Sequence, residues 1–549
     1  MKSTKPKLVV ILVVDQMRAD YVEKFGGQWT GGLRRLVDEG AWFREAAYRY
    51  AATETCVGHS TISTGALPSS HGMVANEWFN RETQKAMTCT EDPKAKNVGY
   101  AGATAKGGDS AANMLIPAFS NELKFQSGSG TRVVTFSLKA RAAITLGGTN
   151  ADAVTWFDSS NGAWLTSSAY PVAAFVEDFV KTHPVAEDYG KTWTAMLPAS
   201  AYLYDSTAVG ARFATESGAA LPHPLHGAAG STAPDKLFYS QWQASPYADT
   251  YLVSMAENAV DTQGLGQRGG TDFLGVSFSS PDYVGHAFGP RSWEIQDVLA
   301  QLDRDLGGFF AHLDQKVGRG NYVVALSADH GVAPIPDDMA KAGMPAGWFK
   351  VDDVKTAASS ALERNGYGKD AVAAVMGADI YFAPDVYQKL QGDTRTLDAV
   401  ITAVLGVAGV ARVYTAEELE NPPVMLNNIF MAEANSFFRS RSGDLLIAPD
   451  PFFPWDFSTA GKPRQYGATH GSPYYYDQHV PILFMGYGIQ PGEYFGAVAP
   501  EDIAPTLAAL CGITLSTRDG HVLAQAMAKQ GAVSGLRARL NAGAAAPKP

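Results

Sequence analysis

The chain has 549 residues, 46% of them apolar and 18% charged. That is enough apolar surface to bury a sizeable core, which excludes a disordered, collagen-like or small disulfide-scaffold protein. Against 55 acidic residues stand 44 Lys and Arg, a formal balance of −11 without long like-charge runs. Neither a nucleic-acid-binding surface nor a polybasic membrane tether is therefore expected, and an anionic substrate needs a local positive site.

In chain order, the basic start Met1 to Lys7 and the apolar run Leu8 to Val14 superficially copy an export signal. The run, however, ends in Asp15-Gln16 without a small-residue cleavage site, and it is short and rich in Val and Ile. It reads as a buried parallel strand. No other apolar stretch approaches the length of a membrane span, so the chain is expected to be cytoplasmic or a mature form whose leader was removed. Cys56 to Gly65 reads as a short helix. Further buried strands are expected at Arg132 to Phe136, Asp272 to Phe278, Tyr322 to Leu326 and Val480 to Met485. The clearest helix carries Ile295, Val298, Leu299, Leu302, Leu306, Phe309, Phe310 and Leu313 at three- and four-residue intervals.

This alternation predicts an α/β fold with a mostly parallel central sheet sandwiched by helices. Active groups then gather at the carboxyl ends of strands. The core is assigned to residues 8–157, 246–335 and 436–525. Residues 158–245, rich in Pro, Gly, Ser, Tyr and Trp, read as an irregular cap. Residues 336–435 carry their own signals (Val354 to Leu362, Ala378 to Phe382, Leu397 to Leu405, Ala411 to Tyr414) and read as a small α/β insertion. Residues 526–549 form a tail whose end, from Asn541, reads as loose. Three cysteines permit at most one bridge. Cys56 and Cys89 are the expected pair, because Cys511 follows an apolar helical segment suited to a buried free thiol.

Asp15 ends the first strand, Asp282 closely follows the third, and Asp329-His330 follow the fourth. Asp282 and His286 lie four apart in Ser-Pro-Asp-Tyr-Val-Gly-His, within reach of one ion on a helical turn. Gly331 would let the chain turn at once after Asp329-His330. His470 sits in Gly-Ala-Thr-His-Gly. Taken singly each is equally a cap or a core group; as a set of three Asp and three His they suit zinc, with manganese or iron as substitutes. Six side chains exceed the needs of one tetrahedral ion, and two ions side by side suit in-line displacement at phosphorus. Thr55 stands at the amino end of the short helix, where free N–H groups favour a phosphate, and is the candidate nucleophile.

Asp15, Thr55-Cys-Val-Gly-His, Asn76, Ser-Leu-Lys-Ala-Arg, Ser-Pro-Asp282-Tyr-Val-Gly-His286, Asp329-His330-Gly and His470-Gly together resemble the alkaline phosphatase superfamily. The nearest likeness is to its threonine-nucleophile, PafA-type branch, related to the type I phosphodiesterase/nucleotide pyrophosphatases. The resemblance implies two Zn2+ ions, one held by Asp282, His286 and His470, the other by Asp15, Asp329, His330 and Thr55. It also implies that Asn76 donates to a phosphate oxygen, and that Lys139 and Arg141 replace the apolar pocket of the diesterase relatives. His59 and His71 are read as structural.

Lys139 and Arg141, two apart, fall on one side of the chain if it stays extended. Three carboxylates and a threonine alkoxide balance two divalent ions, so the added positive pair matches a phosphate monoester dianion better than a diester monoanion. The expected function is zinc-dependent hydrolysis of phosphate monoesters through a phosphothreonine, with a broad substrate range, an alkaline optimum and inhibition by inorganic phosphate. The alternative is a phosphodiesterase/nucleotide pyrophosphatase using the same bimetal site. A sulfatase is disfavoured, because Thr55-Cys56-Val57-Gly58 lacks the Cys or Ser followed by Pro/Ala-x-Arg that such enzymes modify. The resemblance implies a periplasmic or secreted enzyme. A monomer is compatible with the sequence, which does not reveal oligomeric state.

Overall fold

The computed structural model describes residues 5–128, 130–206, 220–422, 428–456, 464 and 466–528. The tail segment from Asn541 lies outside them. Fourteen strands organise the molecule: β1 (Leu8–Val14), β2 (Ala41–Phe43), β3 (Asn97–Gly99), β4 (Val133–Ser137), β5 (Ala153–Asp158), β6 (Ala163–Ser167), β7 (Asp272–Phe278), β8 (Tyr322–Ser327), β9 (Val372–Met376), β10 (Asp379–Phe382), β11 (Val410–Thr415), β12 (Leu445–Pro449), β13 (Ile482–Gly486) and β14 (Gly492–Tyr494). The helices that matter here are α1 (Thr55–Thr64), α2 (Ala140–Gly147), α3 (Pro246–Gln263), α4 (Ser280–Phe288), α5 (Trp293–Leu313), α6 (Val351–Arg364), α7 (Thr394–Leu405), α8 (Asn428–Ser436) and α9 (Ile503–Cys511).

Ten strands form one sheet in the order β14-β2-β13-β8-β1-β7-β4-β5-β6-β3. Its centre, from β8 through β1, β7 and β4 to β5, is parallel. All seven residues of β1 are buried, as are all seven of β7, because helices cover both faces and leave no solvent side to alternate toward. The even residues of β1 (Leu8, Val10, Leu12, Val14) pack with α3 and α5, and the odd ones (Val9, Ile11, Val13) with α2 and α9. The fold is the alkaline-phosphatase-like α/β sandwich.

Toward the flanks the sheet turns antiparallel. β13 runs against β8, so the run Val480 to Met485 is a strand but not a parallel one. A continuous apolar run signals burial on both faces without specifying direction. β6, inside the stretch read as a cap, extends the sheet against β5. Beside the core a second sheet, β9-β10-β12-β11, is wholly antiparallel and packs α6 and α7 over one face. Its third strand, β12, comes from Leu445–Pro449, ten residues and more beyond position 435. This smaller unit is fastened to the core where the chain approaches Thr55: Ser436 Oγ accepts the Ala51 N–H at 2.8 Å, and Asn435 Nδ2 donates to the Arg49 carbonyl at 2.7 Å.

Candidate active site

The chemistry sits at the carboxyl ends of β1, β4, β7 and β8. Asp15 follows β1 and is fully buried. Gln16, next in the chain, takes a left-handed backbone (φ 68°), a costly conformation for a residue with a side chain. The turn points its N–H at Asp329 Oδ1 (3.1 Å), while its Nε2 donates to Asp282 Oδ1 (2.7 Å). Gln16 thus ties two of the three carboxylates, a role that sequence reading missed. The signal available was a polar residue directly after a strand-end Asp.

Asp282 and His286 lie one turn apart on α4, with His286 Nε2 3.3 Å from Asp282 Oδ1. His470 Nε2 approaches the same oxygen at 3.7 Å. After β8 the chain leaves Asp329 and His330 fully buried. Gly331 has no positive φ; it serves close approach, since a Cβ there would lie 2.3 Å from the Tyr476 carbonyl oxygen. Gly58 does the same for α1, whose backbone rests on Asp329: a Cβ at position 58 would be 2.0 Å from that residue's carbonyl oxygen.

Three imidazoles share one arrangement. His286 Nδ1 pairs with the Ala468 carbonyl (2.8 Å), His330 Nδ1 with the Gly331 carbonyl (2.9 Å) and His470 Nδ1 with the Thr53 carbonyl (2.7 Å). A carbonyl only accepts, so each Nδ1 carries the proton and each Nε2 presents a lone pair. Burial, reinforced at His470 by His330 and His286, lowers the affinity of His330 and His470 for a second proton. His59 differs. Its Nδ1 meets the Thr55 carbonyl and its Nε2 meets Ser277 Oγ, both at 2.8 Å, and Asp329 lies 3.3 Å from Nδ1. With both nitrogens engaged it anchors α1. His71 is likewise engaged at both nitrogens, by Thr61 and by the Met73 N–H.

Ligand atoms of Asp282, His286 and His470 lie within 4.8 Å of one another, and so do those of Asp15, Asp282 and His330. Asp329 Oδ2 is 3.4 Å from His330 Nε2. Asp15 Oδ1 and His330 Nε2 are buried 3.5 Å apart, two acceptors facing each other without a hydrogen-bond donor. At Asp282 burial is outweighed by the Lys139 ammonium, which holds that carboxyl low. Three buried carboxylates and three imidazole lone pairs against one ammonium are a donor set that fits divalent cations.

That ammonium is Lys139, whose Nζ lies 2.7 Å from Asp15 Oδ2, 2.6 Å from Asp282 Oδ2 and 3.4 Å from Thr55 Oγ1. Burial works against its charge, but Asp15 and Asp282 prevail and hold the proton more tightly than usual. The extended-chain argument for Lys139 and Arg141 is corrected here. Lys139 ends the extended segment and Arg141 is already the second residue of α2. A strand-to-helix turn, not strand alternation, brings both to the site.

Thr55 is the first residue of α1 and is 1% exposed. It lines a cavity of about 560 Å³ together with Glu54, Asn76, Arg141, Asp282, His286 and His470. Asn76 Oδ1 accepts the Cys56 N–H (2.9 Å), and the Asn76 N–H donates to Glu54 Oε2 (2.6 Å), which leaves the side-chain NH2 of Asn76 as its free donor group. Cys56 and Cys89 form a disulfide, and Cys511 is a buried free thiol. The smaller unit also lines the cavity, with Met376, Asp379, Glu433, Ile447 and Trp455, none of which the motifs pointed to.

Residues 9–473 match the family model for type I phosphodiesterase/nucleotide pyrophosphatase. The alkaline phosphatase PafA of Elizabethkingia meningoseptica is 34% identical over 521 residues, 93% of this chain and 92% of that protein. A Myroides odoratus protein named calcium-transporting ATPase is 32% identical over 532 residues, 93% of each chain. A crystal structure of wild-type PafA superposes with a TM-score of 0.83 at 31% identity, covering 95% of this chain and 99% of that one. With these motifs at these strand ends, the chain belongs to the type I phosphodiesterase/nucleotide pyrophosphatase family and, within the alkaline phosphatase superfamily, to its PafA-type branch.

Proposed function

We propose that this enzyme hydrolyses phosphate monoesters in two displacements at Thr55, across a broad range of leaving groups and best at alkaline pH. The observation that carries the reading is the pair of permanent cations beside the nucleophile. Lys139 Nζ stands 3.4 Å from Thr55 Oγ1, and the Arg141 guanidinium opens on the cavity that Thr55 lines, its Nε buried and without a partner among the described residues. Two added positive charges match a dianion; a diester brings one charge fewer and a second organic group to accommodate.

Two zinc ions fit the donors, one at Asp282, His286 and His470, the other at Asp15, Asp329, His330 and Thr55. Such ions supply Lewis acidity, which favours the ionised form of a neighbouring hydroxyl and offsets negative charge developing on oxygen. In the first displacement a bond forms between Thr55 Oγ and phosphorus while the ester P–O bond breaks, and the hydroxyl proton passes through solvent to the leaving alcohol. In the second, water attacks phosphorus, the P–Oγ bond breaks, and inorganic phosphate leaves as the threonine hydroxyl is restored. Asn76, Lys139 and Arg141 hold the phosphoryl oxygens through both steps. As the product shares the substrate's charge, inorganic phosphate inhibits. Export to the periplasm or medium belongs to this reading. Calcium transport does not: the reading rests on the phosphate site alone, and among the described residues no helix is long and apolar enough to cross a membrane.

Comparing kcat/KM for an aryl phosphate with that for its methyl diester tests the assignment. The monoester is expected to be favoured at least a hundredfold. A diester preference would move the enzyme to the phosphodiesterase/nucleotide pyrophosphatase reading, which the same metal ligands also serve.

A further inference from the structure

The cavity that Thr55 lines also carries two acids, Asp379 and Glu433, that the reaction above does not use. Glu433, on α8, is 2% exposed, lines the cavity, and has no hydrogen-bond partner for its carboxylate among the described residues. Asp379 opens β10 and accepts the Gly443 N–H with one oxygen, and it too lines the cavity. Water or a donor group bound in the cavity can supply the hydrogen bonds that so buried an acid needs. Burial pushes both carboxyls up, the neighbouring acids adding to it, and for Asp379 the value is about 7.

The arrangement does not suit a bare metal ion. Among the described residues no ligand group with oxygens inside 4.8 Å of one another includes Asp379 or Glu433, unlike the two groups at the reaction centre. Around them the wall is apolar and aromatic, with Val375, Met376, Ile447, Pro449 and Trp455. One cavity therefore holds Thr55, Glu54 and Arg141 together with Asp379 and Glu433 and this apolar surface.

We propose that Asp379 and Glu433 select the leaving group, accepting the ammonium of an aminoalkyl alcohol whose methylenes lie along the apolar wall. The proposal rests on the monoesterase reading and names its preferred substrate class, aminoalkyl phosphates. An ammonium supplies up to three donors to oxygens that otherwise lack them, and its charge complements the acids. A leaving group that is itself anionic meets repulsion there.

The test is a series of ω-aminoalkyl phosphates of two to six carbons, each paired with the alkyl phosphate in which methyl replaces ammonium. At the chain length that spans the cavity, kcat/KM is expected to favour the amine by about tenfold or more. In Asp379→Asn and Glu433→Gln the ratio falls toward unity through the KM of the amino ester. A general structural defect slows both members of a pair and leaves the ratio in place. Equal rates within every pair, or a ratio that persists in both variants, would overturn the proposal. Should no ester, aryl phosphates included, be hydrolysed, the monoesterase reading fails on its own. Calorimetric titration with the free amino alcohols and matching alkanols then decides this one: selective amine binding lost in the variants supports it, and equal binding overturns it.

Discussion

His330 shows how much of the site is decided one hydrogen bond at a time. Its Nδ1 is spent on the Gly331 carbonyl 2.9 Å away, so its Nε2 faces Asp15 Oδ1 as a lone pair against a lone pair. The same commitment at His286 and His470 separates the three candidate ligands from His59 and His71, whose nitrogens are both engaged by the protein. Lys139 is central to the proposed preference for monoesters, because it links Asp15 and Asp282 to Thr55. Removing Lys139 and Arg141 together, as Lys139→Ala with Arg141→Ala, is expected to cost monoester kcat/KM at least a hundredfold, and the methyl diester far less. Equal losses for the two substrates would refute the charge-matching argument.

At the scale of elements, α1 is the part on which function leans. Its first residue is Thr55, Gly58 lets it lie on the Asp329 backbone, and the Cys56–Cys89 disulfide pins its amino end across a sequence separation of 33. A loop of that length predicts that replacing both cysteines by serine lowers stability by about 3–4 kcal/mol, read as a lower thermal or urea midpoint. An unchanged midpoint would show that the bridge is idle.

The strands that lead to Asp15, Asp282 and Asp329 were legible because a doubly covered parallel sheet writes itself as apolar runs, with polar residues concentrated at one end. Strand direction was not legible in β13, since burial on both faces looks alike either way. Nor was the cavity's second wall. Asp379, on β10 of the small sheet, and Glu433, on α8, stand more than 300 positions from Thr55, and no local pattern marks an acid that reaches a distant site. The two-apart spacing suggested that Lys139 and Arg141 share one side of an extended chain, a reason that the start of α2 removes.

Taken whole, the molecule opens one cavity where the large sheet meets the smaller unit, lined by residues of both. It also carries buried acids outside the candidate ligand set. Asp249, on α3, accepts from the Ser280 N–H and hydroxyl with one oxygen, its other oxygen has no partner, and burial pushes it up to about 7. A carboxyl raised in the folded state contributes stability below its unfolded value near 4; that contribution is lost as pH rises toward 7. Asp249→Asn should therefore flatten the fall in Tm between pH 5 and pH 8, raising the midpoint at pH 8 by about 2 °C relative to pH 5. An unaltered pH profile would show that Asp249 titrates as an ordinary surface acid.

The central claim is that the Thr55 hydroxyl is the group that takes the phosphoryl from substrate. Measuring kcat/KM of Thr55→Ala with an aryl phosphate, on protein whose metal content and Tm match the parent, tests it most directly. The account predicts a loss of at least about a thousandfold. Turnover within twofold of the parent would contradict it.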